Sequence, residues 1–199
     1  MRCYQSSLIA FLAVRQVQVP QNKLFLFKPY HMKNLINNIT KTFDGLVNTL
    51  FKANDTDLNK IPFENSWSIG QVAEHIILCG NGIPDSKTEI STRQKDEKVP
   101  VLKDIFLNMD EKSKADPALT PHGVTHKQED LVNQIKAVKE KLCLIAEEKD
   151  LNDICLDMEF PTLGLLTRYE WLSFICFHTQ RHTRQIENII KHLKIDRSF

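Results

Sequence analysis

His178 and His182 stand four residues apart in a stretch whose apolar residues recur every three or four positions. At about 100° per residue, Trp171, Phe174, Ile175, His178, His182, Gln185, Ile186 and Ile189 fall within about 60° of one line on a helix. Both histidines therefore lie inside the stripe that must face a core. Imidazoles one turn apart can converge on a single metal ion. A second stretch groups Gln71, Val72, His75, Leu78 and Cys79 on one helical face, so another histidine is directed inward. Burying three imidazoles without a shared role is costly. One divalent ion held by His75, His178 and His182 is the better explanation.

Three neutral ligands leave a coordination position open, as catalytic sites do, whereas structural zinc sites are closed by four protein ligands. Cys79, four residues after His75, could close the site as a fourth ligand, but a small buried apolar side chain is the favoured reading. Gln71 and Gln185 lie beside the ligands and can orient an imidazole or hold substrate; equally, they are polar residues at the edge of a stripe. A divalent ion on three imidazoles can lower the pKa of water toward ~7 or ionise a thiol. Glu74 points about 100° from His75 and Glu187 about 140° from His182, so the ligand faces carry no carboxylate base, although a loop could supply one. That favours ionisation of a thiol, which needs less proton shuttling. His122 and His126 are also four apart, but Pro121 and Gly123 flank His122 and a helix begins only near His126, so no helical ligand pair forms.

The elements that must carry these residues are legible from periodicity and punctuation. All eight prolines fall between long helical blocks. The first block has Leu35, Ile36, Ile39, Phe43, Leu46, Val47 and Leu50 at three-and-four spacing. The second opens on Ser68-Ile69-Gly70-Gln71, a capping box, and ends near Gly80 and Gly82. Thr125-His126-Lys127-Gln128 has the same form and precedes Leu131, Ile135, Val138, Leu142 and Ile145. Thr167-Arg168-Tyr169-Glu170 opens the last block, which runs toward Leu193. Strand signals are poor and confined to Leu24–Phe27 and Ile154–Phe160. The mixed-sign tract from Lys87 to Lys103 reads as a solvated connection, and Trp67 and Trp171 as core anchors. Four amphipathic helices with two long connections give an all-α helical bundle.

Composition narrows the function classes. With 26 Lys and Arg against 25 Asp and Glu, the net charge is +1 and no basic patch for nucleic acid stands out. Five scattered cysteines without a CxxC fit reduced thiols in a cytoplasm and not a disulfide framework. Six glycines build no phosphate-cradling loop. No apolar run approaches the roughly 18 residues of a membrane span, so no membrane partner is expected. The longest run, Leu8 to Val14, lacks a following cleavage site and reads as part of an extension over residues 1–31, with the domain over residues 32–199.

Two runs carry a resemblance. Asn65-Ser66-Trp67-Ser68-Ile69-Gly70-Gln71-Val72-Ala73-Glu74-His75-Ile76 resembles the first signature of the DinB/YfiT-like family. Pro161-Thr162-Leu163-Gly164, Glu170-Trp171-Leu172 and His178-Thr179-Gln180-Arg181-His182-Thr183-Arg184-Gln185-Ile186 resemble its second. The likeness covers the chain from about Met32. It implies an antiparallel four-helix bundle with a crossed connection order, a metal on His75, His178 and His182, and a cytoplasmic bacterial homodimer. Better-understood members conjugate low-molecular-weight thiols such as bacillithiol to electrophiles or isomerise with mycothiol; others are described as metal-dependent hydrolases. The N-terminal extension departs from the family pattern.

The expectation is a metal-dependent thiol S-transferase with a small-molecule thiol and an electrophile as substrates. A hydrolase using activated water is the alternative, and a non-catalytic metal-stabilised bundle for dimerisation or stress response the second. Zinc or nickel is the expected ion, ahead of manganese or iron.

Overall fold

Leu35, Ile39, Phe43, Leu46, Val47 and Leu50 are all buried, as their spacing requires, along the first helix of a computed structural model that describes residues 22–110, 117–122 and 125–195. The Leu8–Val14 run and most of the 1–31 extension lie outside the described residues. Helix α1 spans Asn22–Leu50, so it begins ahead of Met32 and takes in Leu24–Phe27 as helix instead of strand. The short α2 (Asp55–Asn59) follows, then α3 (Ile69–Gly80), α4 (Val99–Leu107), α5 (Gln128–Glu148) and α6 (Arg168–Ile195). Two-residue strands β1 (Thr88–Glu89) and β2 (Ile154–Cys155) pair antiparallel, and a 3-10 turn covers Pro117–Leu119. The described chain is mostly helical, with little sheet.

Each of α1 and α3 packs against both α5 and α6, while α4 lies along α6. The main core is formed where the apolar stripes of α1, α3, α5 and α6 meet. Each fully buried Leu, Ile or Phe contributes about 1.5–3 kcal/mol of burial free energy, which only this mutual arrangement delivers to four amphipathic helices at once. A smaller cluster of Leu102, Cys155, Leu166 and Trp171 sits under α4, with Phe106, Phe160, Phe174 and Phe177 against it.

Two of the three expected capping boxes form. Ser68 Oγ accepts from the Gln71 amide at 3.2 Å, and Gln71 Oε1 accepts from the Ser68 amide at 3.0 Å. At α6, Thr167 and Glu170 make the reciprocal pair at 2.9 and 3.2 Å. The third does not form. Helix α5 starts at Gln128, whose amide is taken by Asp55 Oδ1 of α2 at 2.9 Å, while its side chain reaches the Leu50 and Ala53 carbonyls. A tertiary carboxylate thus does the capping that Thr125 was expected to do. Helices α2 and α4 were missed because five and nine residues are too few to show a period.

The Lys87–Lys103 tract is not simply solvated. Arg93 forms a bidentate pair with Glu170 at 2.6 and 2.7 Å, and Lys98 donates its amide to the same carboxylate and its Nζ to the Leu163 and Leu165 carbonyls. Glu170 is fully buried. The capping carboxylate of α6 therefore also gathers the long connection onto the start of the helix that bears His178 and His182.

Candidate metal centre

Helix α3 delivers His75 and helix α6 delivers His178 and His182 to one place between them. The ligand atoms of the three side chains all lie within 4.8 Å of one another. Ring centroids are 4.9 Å apart for His75 and His178, 4.7 Å for His75 and His182, and 4.4 Å for His178 and His182. His75 and His178 are 3 % and 7 % exposed, and His182 is half-buried. The i,i+4 spacing on α6 does what its geometry permits, and the α3–α6 seam brings in the third ring.

Hydrogen bonds select the nitrogen that two of the rings offer. His75 Nδ1 donates to the Leu119 carbonyl at 2.7 Å, which leaves Nε2 with its lone pair facing the cluster. His182 Nδ1 donates to Gln185 Oε1 at 2.8 Å, with the same consequence. The Nε2 atoms of His75 and His178 are 3.1 Å apart. Two imidazole nitrogens at about 2.0–2.1 Å from one ion lie about 2.9 Å apart for a right angle and about 3.3 Å for a tetrahedral one. The donor set and its spacing fit one divalent ion.

Electrostatics favour the neutral, ligating form. Burial, reinforced by repulsion from the neighbouring imidazoles and Arg181, holds His178 well below the ordinary histidine range. Burial likewise pushes His182 down to about 4, against an opposing contribution from the Gln185 hydrogen bond. Aromatic rings make the surroundings poor in water: Trp67 stands 5.2 Å from His75, and Phe174 and Phe106 stand 5.6 and 6.0 Å from His178.

The remaining candidates separate clearly. Gln185 accepts from the His182 ring, as described. Gln71 spends its side-chain oxygen on the Ser68 amide at the start of α3. Cys79 does not join the cluster, and burial pushes its thiol up to about 12. His122 and His126 do not join it either. Glu74 turns away from His75, as the helical angle predicts, and accepts from the His122 amide at 3.0 Å and from His126 Nε2 at 2.8 Å. Among the described residues the cluster contains no carboxylate. Trp67 packs against the core and also faces His75, so the anchor reading understated it. The Leu119 carbonyl was missed altogether, since a backbone oxygen carries no residue-type signal.

No helix among the described residues is long and apolar enough to cross a membrane. No curated protein and no solved structure matches the chain. A family model does: that of the DinB superfamily matches residues 37–186, a span that begins within α1 and includes all three clustered histidines. With three-quarters of its length matched and the histidines assembled between α3 and α6, this chain belongs to the DinB superfamily.

Proposed function

We propose that the protein is a divalent-metal-dependent transferase that joins a low-molecular-weight thiol to an electrophile, using His75, His178 and His182 as ligands on an antiparallel four-helix bundle. The observation that carries the reading is the convergence of three imidazoles, two buried and one half-buried, two of them with Nε2 turned to the cluster by a hydrogen bond at Nδ1. The packing of α1 and α3 each against α5 and α6 supports the bundle. Zinc or nickel suits an all-imidazole donor set, and manganese, which prefers oxygen ligands, suits it less. A divalent ion bound there would supply a Lewis acid that brings a thiol into its ionised form at neutral pH.

The chain's own residues do the rest. Leu119 and Gln185 fix the orientation of two rings. Trp67, Phe106 and Phe174 limit water around the His75 and His178 rings and lower the local dielectric, which strengthens charge interactions there. Glu74 is committed to His122 and His126, and no carboxylate of the described residues joins the cluster. A thiol substrate suits such a site better than water, because ionising a thiol asks for less help from a protein base.

The test pairs metal analysis with turnover. Purified protein is expected to hold one divalent ion per chain and to consume a small thiol in the presence of a generic electrophile. Replacing His75, His178 or His182 by Ala is expected to drop metal content well below one per chain and to abolish conjugation. Full occupancy in the single variants, or ester hydrolysis that proceeds without any thiol, would overturn the proposal.

A further inference from the structure

We infer that Glu74 is a positioning residue, which clamps the segment leading into α5 onto α3 so that the Leu119 carbonyl meets His75 and sets its tautomer. The inference rests on the metal-centre reading above, but it concerns hydrogen bonds that exist whether or not an ion is bound. Glu74 and His75 are consecutive on α3 and diverge by about 100°. His75 faces the cluster while Glu74 faces the connection.

Both oxygens of Glu74 hold that connection. Oε1 accepts from the His122 amide at 3.0 Å, and Oε2 accepts from His126 Nε2 at 2.8 Å. His122 lies three residues beyond Leu119, and three residues of chain reach at most about 10 Å. Fixing the His122 amide therefore limits how far Leu119 can move from α3, where its carbonyl lies 2.7 Å from His75 Nδ1. Asn59 of α2 secures the other side: its Oδ1 accepts from the His126 amide at 2.7 Å and its Nδ2 donates to the His126 carbonyl at 2.8 Å.

Gly70, one helical turn before Glu74, completes the device. A Cβ at Gly70 would lie 2.5 Å from His126 Nδ1 and 2.7 Å from its Cγ, far inside contact distance. Only glycine at this position lets the His126 ring lie on α3 within reach of Glu74. His126 Nδ1 is buried and has no hydrogen-bond partner among the described residues. The ring is thus held through Nε2, which donates to Glu74. The His126 backbone is pinned by Asn59, so the ring cannot retreat cheaply from a side chain at position 70.

The consequence for His75 is specific. With the Leu119 carbonyl in place, Nδ1 carries the proton and Nε2 is the free, more basic nitrogen. Partners of this kind commonly contribute 10–100-fold to metal affinity. Without the clamp, the carbonyl is free to leave and the ring is free to exchange tautomers.

The experiment uses full-length protein labelled with 15N at histidine. Long-range 1H–15N correlation spectra of the metal-free protein report the tautomer of His75, and zinc titration reports affinity. Wild type is expected to show His75 protonated at Nδ1 alone. Glu74→Ala should give a mixed tautomer and at least a tenfold loss of zinc affinity, and Glu74→Gln, which retains one acceptor oxygen, an intermediate result. Gly70→Ala displaces the His126 ring but leaves the His122 amide on Oε1, so it should shift the tautomer in the same direction as Glu74→Ala and less far, with helicity intact, since alanine is the better helix former. It therefore decides the matter if Glu74→Ala fails to fold. A His75 tautomer unchanged in folded Glu74→Ala or Gly70→Ala overturns the inference. Absence of zinc binding by wild type would count against the metal-centre reading alone and leave the tautomer result standing.

Discussion

Gln185 Oε1 accepts a hydrogen bond from His182 Nδ1 at 2.8 Å, across a single turn of α6. The amide oxygen thereby chooses the nitrogen that His182 presents and restrains the rotation of its ring. Gln185→Ala is expected to weaken zinc binding by about tenfold while leaving the helix in place. Gln185→Glu should strengthen binding, because an ionised acceptor raises the basicity of the opposite nitrogen. Competition with a chelating dye would measure both, and equal affinities across the three proteins would remove Gln185 from any ligand-orienting role.

The metal-free protein should lose stability as pH falls from about 6.5 toward 4. His182 is pushed down to about 4 by burial, and His178 is held well below its ordinary range for the same reason. Both states are neutral at these groups above pH 6.5. Below it the unfolded chain takes up protons that the folded chain refuses, so ν_U exceeds ν_N and stability rises with pH across the window. Each of the two histidines contributes a slope of about 1.4 kcal/mol per pH unit where its unfolded form is protonated and its folded form is not. Urea unfolding between pH 7 and pH 5 would show it. The His178→Ala variant should have the shallower slope, and an unchanged slope would contradict the assignment.

How far the sequence led is best judged from these same residues. His75, His178 and His182 were accessible because helical periodicity turns a one-dimensional spacing into a face, and a face buried in a core has few places to go. Gln185 followed from the same arithmetic. Leu119 did not, since its contribution is a backbone carbonyl delivered by a connection. Glu74 was correctly directed away from His75, but its partners lie 48 and 52 residues further on and no local rule links them. Arg93 was hidden in a mixed-sign tract whose composition matches ordinary solvent-facing chain. Its fate was set by Glu170, 77 residues later. Short-range capping was read well at Ser68 and Thr167 and misread at Thr125, where a carboxylate from α2 displaced the local candidate. Pattern rules recover what neighbours in sequence decide; tertiary partners decide the remainder.

The Arg93–Glu170 pair should be a large contributor to stability when broken from one side. Glu170 is fully buried, and it accepts from the Arg93 guanidinium, the Lys98 amide and the Thr167 amide. Glu170→Ala is expected to cost about 3–5 kcal/mol, because a partly buried guanidinium and two amides lose their acceptor together. Arg93→Met should cost less than Arg93→Ala, since the longer apolar side chain replaces part of the lost packing. Denaturant unfolding would rank the three variants. A cost below about 1 kcal/mol for Glu170→Ala would place the pair with ordinary surface ion pairs.

Cys79 decides whether the centre is open or closed. It sits four residues from His75, yet it does not join the cluster, and burial pushes the thiol up to about 12 in the metal-free protein. A ligating cysteine must be a thiolate. A centre held by the three histidines alone would leave a coordination position for a substrate thiol, which the proposed transfer needs. Cobalt-loaded protein is expected to lack an intense ultraviolet sulfur-to-metal band and to gain one when excess small thiol is added. Cys79→Ser should change neither the metal content nor that response. A strong band before any thiol is added, abolished by Cys79→Ser, would mean a closed four-ligand site and would remove the catalytic reading. A site that stays free of the band with several different thiols would instead retain the three histidines as ligands and rule out thiol as the substrate they ionise.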